Sequence, residues 1–212
     1  PMNCLYIDAS RDRLSIGLEC DSEWRANESI QGRHDQVLLE AIRGLCNDAM
    51  ICTNEISHCV VVNGPGSFTG LRIAVSCVHA LDLVQPLRVL PVDQLSLLAA
   101  SCDAPHAGAI LDARMGEVYV GSNRDDNGLY SQLELKSINA LGQDTWICHA
   151  EEADRFSVSL VPVVPTLHVL KQLAQGCDFS QWIEGSQLTP RYVRQTVSWK
   201  PLSEQPSKLY DH

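Results

Sequence analysis

The sequence predicts an α/β fold built as two related lobes. Three strand-like runs followed by β-α units occur once from residue 3 and begin again from residue 108. An apolar strand-like run, His58-Cys59-Val60-Val61-Val62, passes through a glycine-rich junction into an apolar helical run. In the second half, Asp125-Asp126-Asn127-Gly128 between two alternating segments is a strong hairpin signal.

Strands are expected at 3–8, 14–20 and near 23–27. A helix follows at 34–49, with Val37, Leu38, Ala41, Ile42, Leu45 and Ala49 on one side. Strand 58–62 and helix 67–84 come next, and Pro86 stops that helix. A short strand at 88–90 leads to a helix at 93–101 with Asp93 as N-cap. The second half restarts with strands at 108–111, 117–123 and 129–135. A strand near 145–149 and a helix near 166–175 close it. The expected organisation is a first lobe at 1–103, a shortened second lobe at 104–190, and a tail at 191–212 that returns to the first lobe.

The junction Gly64-Pro65-Gly66-Ser67-Phe68-Thr69-Gly70 is the most informative segment. Three glycines between strand and helix call for unusual backbone conformations or very close packing. The segment can be a phosphate cradle, a nucleophile elbow or a packing device. A P-loop needs Gly-Lys at its end, and here Leu71-Arg72 follows Gly70. A dinucleotide fingerprint needs its third glycine one residue earlier, and the next acid, Asp93, is poorly spaced. Ser67 is not framed as in a nucleophile elbow. As a packing turn, the segment uses Ser67 to cap the next helix. That helix is apolar almost all the way round, so every side needs a cover. Gly70, Ala74, Cys77 and Leu81 form a small-residue stripe that lets a neighbouring helix approach closely.

The formal charge of −10, with 26 acids against 16 bases, makes strong stand-alone nucleic-acid binding unexpected. One local exception is the tail, where Arg191, Arg194 and Lys200 interleave with Tyr192 and Trp199. It reads as a strand that packs its aromatics and displays its charges, with RNA contact as the other reading. The nine cysteines are scattered without a C-x-x-C pair and are expected as reduced core residues. The scattered histidines suggest no metal site, and no cofactor is expected. Pro1 ahead of Met2 reads as a tag remnant. Without an apolar leader or a long uninterrupted apolar run, the protein is expected in the cytoplasm, away from membranes. Asp8 reads as a strand-end carboxylate bonded to a neighbouring turn. Asp112, Arg114 and Glu117 have two readings, an acid/base cluster or, more simply, a turn and an alternating strand with a local Arg–carboxylate pair.

Val62-Asn63-Gly64-Pro65-Gly66-Ser67-Phe68-Thr69-Gly70-Leu71-Arg72-Ile73 resembles the G-P-G-S-F-T-G-[LV]-R-[IV] signature of the bacterial TsaB (YeaZ) family. Tyr6-Ile7-Asp8-Ala9-Ser10 resembles its first-strand segment. Leu111-Asp112-Ala113-Arg114-Met115-Gly116-Glu117-Val118-Tyr119 resembles its mid-chain segment. Pro190-Arg191-Tyr192-Val193-Arg194 with Val197-Ser198-Trp199-Lys200 resembles its closing segment. Ala9 stands where the family usually has Thr, and the stretch from about 140 to 186 is shorter than usual.

The resemblance implies two RNase H-like lobes of the actin/Hsp70-like ATPase superfamily fold. It implies a non-catalytic scaffold that pairs with a TsaD-type catalytic subunit and a TsaE-type ATPase. Together they transfer a threonylcarbamoyl group to the adenosine beside the anticodon of tRNAs reading codons that begin with A. TsaB proteins lack the metal-binding H-x-x-x-H pair of TsaD, as does this chain. The alternative is a nucleotide-binding or peptidase-like enzyme of the same superfamily. The expected partner surface is Gly70, Ala74, Cys77 and Leu81, flanked by Val37, Leu38, Ile42 and Leu45. The lone chain is expected to form a homodimer through the same helices.

Overall fold

A computed structural model describes residues 2–104 and 107–193. The elements of the first half are β1 (Cys4–Asp8), β2 (Leu14–Cys20), β3 (Glu23–Ile30), α1 (His34–Asp48), β4 (His58–Gly64), α2 (Phe68–Val84), β5 (Arg88–Asp93) and α3 (Gln94–Ala100). Those of the second are β6 (Gly108–Arg114), β7 (Glu117–Arg124), β8 (Tyr130–Ser137), β9 (Trp146–His149), β10 (Leu160–Val163), α4 (Leu167–Gly176) and β11 (Ile183–Glu184). The expected tail residues Arg194, Trp199 and Lys200 lie outside the described residues, as does all of 194–212.

Two mixed sheets form, in the orders β11-β5-β4-β1-β2-β3 and β10-β9-β6-β7-β8. In each, three antiparallel strands are followed by two parallel ones on the inner side. Without β11 both sheets share one order, 3-2-1-4-5, so the second lobe repeats the first. The shortening is visible in the crossovers. Where the first lobe inserts α1 and α2, the second has only 3-10 turns, Ile138–Ala140 and Ala150–Arg155.

Strand β4 explains the layering. Its alternate residues Cys59 and Val61 pack with α1 and α2, while Val60 and Val62 pack with α4. A strand buried on both faces must be apolar throughout, which is why 58–62 reads as a continuous apolar run. Helix α3 joins the lobes: Leu95, Leu98 and Ala99 pack on Ala109, Leu111 and Ile147 of the second sheet, while Leu97 joins the core of the first. Its cap is Asp93, whose side chain accepts from the Ser96 amide at 2.8 Å.

Two expectations need correction. Helix α4 and β11, assigned by position to the second lobe, pack on and pair with the first sheet, because β5 has a free edge and the sheet's inner face is apolar. The cysteines are not all core residues. All nine are free, and six are buried, but Cys102 and Cys177 are half-buried and Cys52 is exposed. Burial pushes the Cys4 thiol up to about 12 and the Cys77 thiol to about 11, which keeps both protonated.

Candidate functional site

The glycine junction folds as a packing turn. Gly64 has φ 126°, a left-handed conformation that favours glycine. A Cβ on Gly64 would stand 2.8 Å from the Arg191 carbonyl oxygen. A Cβ on Gly66 would collide with the Ser10 carbonyl oxygen, and one on Gly70 with the Ala9 carbonyl oxygen. The Ser67 amide donates to Ser10 O at 2.6 Å, and the Ser67 hydroxyl caps the Gly70 amide at 3.2 Å. These donors are spent inside the chain, so they offer nothing to a phosphate. Pro65 completes the turn through a cis Gly64–Pro65 bond.

Beside this turn a cleft of about 290 Å³ opens between the sheets. It lies where a nucleotide site would be sought, and its chemistry argues against a polyphosphate. Asp8 Oδ1 accepts from the Ser10 amide at 2.9 Å, as a satisfied strand-end carboxylate does. Arg11 reaches across the cleft to Glu151 and Glu152, each at 3.1 Å. Glu152 also accepts from the Asp112 amide, and Arg155 donates to Asp112 Oδ2 at 2.9 Å. Arg11, Arg114 and Arg155 therefore face four carboxylates, Asp12, Asp112, Glu151 and Glu152. The ion pairs tie the sheets together and leave no surplus positive charge. Arg11 holds the Glu151 carboxyl below the usual carboxylate range by hydrogen bonding. Burial, then Arg11, pushes the neighbouring His149 imidazole down, so it stays neutral. Arg114 pairs only loosely with Asp112, at 3.7 Å, and Arg155 is the closer partner. Among the described residues no three His, Cys, Asp or Glu converge as a metal site.

A second feature lies on the outer face of the first sheet, between α1 and α2. The small-residue stripe does admit a close helix, but that helix is α1 of the same chain. A Cβ on Gly70 would stand 2.8 Å from His34 Nδ1. The residues Leu38, Ile42, Leu45, Ala74 and Cys77 are 1 to 8% exposed and belong to the chain's own core, with Val37 and Leu81 packed against it. Most of the residues expected at a partner surface thus seat α1 and α2 on the sheet, while Leu38 and Cys77 also line the groove that stays open between the helices. What remains open is the outward groove. His34, Leu39, Phe68, Ile73, Cys77 and Ala80 contribute to it, and Leu39 and Phe68 are each 54% exposed. Leu83 and Val84 continue the apolar strip at the end of α2. The signal for this surface was present in the sequence. Leu39 is an apolar residue just off the 34-38-42-45 core stripe, as a helix with a second apolar face requires.

Comparison with known proteins identifies the family. A family model described as TsaD, tRNA N6-adenosine threonylcarbamoyltransferase, matches residues 28–144. The Bacillus subtilis tRNA threonylcarbamoyladenosine biosynthesis protein TsaB is 32% identical over 73% of this chain and 68% of its own length. The chain belongs to the TsaB (YeaZ) family. The Haemophilus influenzae TsaB is 25% identical over 95% of this chain and 97% of its own length. YeaZ from Pseudomonas aeruginosa superposes with a TM-score of 0.70 at 25% identity, covering 91% of this chain and 100% of that one. A crystal structure from the same organism, described as an uncharacterized protein with similarity to peptidase YEAZ, superposes at 0.73 with 26% identity, over 92% and 100% of the two chains. The two-sheet architecture is thus the actin/Hsp70-like ATPase superfamily fold. Of the TsaB signatures, the glycine segment is the packing turn that seats the start of α2 against the end of β1. The Asp-Ala-Arg segment is the β6–β7 hairpin, whose tip, Arg114-Met115-Gly116, has positive φ throughout.

Proposed function

We propose that this chain is a non-catalytic scaffold and activator in tRNA threonylcarbamoyladenosine biosynthesis. It docks a TsaD-type catalytic subunit on the lobe formed by residues 1–103, and a TsaE-type ATPase joins the pair. The assembly transfers the threonylcarbamoyl group to the adenosine beside the anticodon, in the cytoplasm. The observation that carries this reading is the apolar groove between α1 and α2, together with the TsaB relatives. A soluble monomer rarely leaves such a strip bare. Leu39, Phe68, Ile73 and Ala80 supply its apolar contacts, while Gly70, Ala74 and Cys77 act beneath it by holding α2 close to α1. In the partner's absence a second copy covers the same groove with two-fold symmetry. The self-neutralised cleft and the inward bonding of the Ser67 and Gly70 amides support a chain that performs no chemistry itself. No described helix is long and apolar enough to cross a membrane.

The test is co-purification with a TsaD-type subunit. Leu39→Asp and Ala80→Asp each place a charge where an apolar partner must bury it, and each should abolish retention while leaving the circular dichroism unchanged. If both folded variants retain the partner as the parent does, the docking surface is elsewhere. Steady ATP hydrolysis by the pure chain, lost on Asp8→Ala, would refute the scaffold assignment.

A further inference from the structure

Two grooves of different chemistry meet at Phe68 and Arg72. The one between α1 and α2 is apolar. The other, about 670 Å³ in volume, runs from the glycine turn to the end of the described chain, past Phe68, Arg72, Tyr119, Pro190, Arg191 and Tyr192. Its charged lining residues, among those described, are both arginines, and no carboxylate lines it. In a chain of formal charge −10 such a groove is locally unlike its surroundings.

The two arginines differ. Arg191 is committed inward: it faces the buried Asp93 carboxylate at 3.5 Å and donates to the Tyr130 and Ser131 carbonyls. Arg72 is exposed, and no described carboxylate pairs with it. Its guanidinium lies 3.8 Å above the Phe68 ring, and its Nε donates to the Tyr192 hydroxyl at 3.0 Å. The Phe68 and Tyr192 rings are 5.5 Å apart and tilted by 33°. Both rings are substantially exposed, at 54% and 42%. The three side chains hold one another in place, so a ligand meets a platform already ordered.

A ligand suited to this platform has a flat π face and a negative charge close beside it. Unpaired nucleotides have both: bases stack on aromatic rings and guanidinium planes, and phosphates take the remaining arginine N–H groups. An apolar protein segment fits the neighbouring groove better, and an acidic peptide would leave the rings unused. We infer that the Phe68–Arg72–Tyr192 groove contacts an unpaired nucleotide of RNA, with a base on the rings and a phosphate on Arg72. This deepens the scaffold reading and rests on it, since that reading brings tRNA to the assembly.

The test is fluorescence anisotropy with a synthetic anticodon stem-loop RNA. It is run on the full chain alone and on the chain with its TsaD-type partner, at several salt concentrations. Tyr192→Ala should weaken binding about tenfold. Arg72→Gln should weaken it and reduce the slope of log affinity against log salt by about 0.7. Arg25→Gln, an equal charge change on β3, should leave affinity within about twofold. Retention of the partner by Tyr192→Ala should be unchanged. Wild-type chain and complex that fail to bind the RNA, or Tyr192→Ala and Arg72→Gln that bind as the parent does, overturn the inference. So does an Arg25→Gln effect equal to that of Arg72→Gln. Failure of the partner to co-purify with the unaltered chain would instead refute the scaffold reading, and the anisotropy of the chain alone would still decide the groove.

Discussion

Adding one methyl group at Gly70 tests whether the glycine signature is a packing device. Gly70 is the third residue of α2, and its Cα faces the Ala9 carbonyl and the His34 ring. A Cβ there collides with the carbonyl oxygen and stands 2.8 Å from His34 Nδ1. The carbonyl belongs to backbone at the end of β1, so it has no rotamer by which to retreat. Overpacking of this kind costs about 3 kcal/mol, the upper part of its usual range. Exchanging Gly for Ala in a helix returns up to about 1 kcal/mol. Gly70→Ala should therefore destabilise by about 2 kcal/mol, a fall of about 4–8 °C in Tm for a chain of this size. Gly44 supplies the contrast. It is exposed in α1, and a Cβ there meets nothing within 4 Å. Gly44→Ala should stabilise by about 0.5–1 kcal/mol. Urea unfolding followed by circular dichroism reads both. If Gly70→Ala is as stable as the parent while Gly44→Ala gains, the close-packing explanation of the signature fails. The glycine would then have to be explained by a ligand.

Three further outcomes follow from the same geometry. Leu38→Ala should cost about 2–5 kcal/mol in urea unfolding, whereas Leu39→Ala should stay within about 0.5 kcal/mol, and equal effects would mean that the faces of α1 are misassigned. His149 is held neutral by burial, so the protonated form is disfavoured in the fold; its contribution is intact above the unfolded pKa of about 6.5 and is lost as pH falls below it. His149→Gln should flatten the stability profile between about pH 7 and 5, and an unchanged slope would remove His149 as its source. Burial raises the Asp93 carboxyl and Arg191 opposes that rise, so Arg191→Gln should lift it further and destabilise by about 1–2 kcal/mol at neutral pH, a figure discounted for the partly exposed guanidinium. Because a raised carboxyl favours folding where it is protonated, the gap between parent and Arg191→Gln should narrow as the pH is lowered. A gap independent of pH would assign the loss to the Tyr130 and Ser131 hydrogen bonds alone.

The local structure was largely legible because its causes are local. Ser67 and Asp93 announce helix starts through side chains that reach amides three residues on. The Asp125–Gly128 turn closes as its residues require, with Gly128 at φ 85° and Asp125 Oδ1 accepting from the Asn127 and Leu129 amides. Strand β11 was missed because a two-residue strand carries no periodicity, and β10 because the proline in Leu160–Val163 interrupts its pattern. The inward commitment of Arg191 was invisible for a different reason. Its partners Asp93, Tyr130 and Ser131 come from elements far apart in sequence.

By itself the sequence determined the family, the order of the longer elements and the repeated lobe plan, since these are written in contiguous motifs and in the period of apolar residues. It also determined that the glycine turn must lie against something, because three glycines at a strand–helix junction have few other uses. Only the tertiary structure decided what lies against it, and which side of α2 is free. A helix apolar on most of its circumference has no preferred inside until its neighbours are in place. The stripe Gly70-Ala74-Cys77 and the residues Leu38, Ile42 and Leu45 became core because α1 and the first sheet reach them first. That assignment left Leu39, Phe68, Ile73 and Ala80 lining an apolar groove that opens outward between α1 and α2.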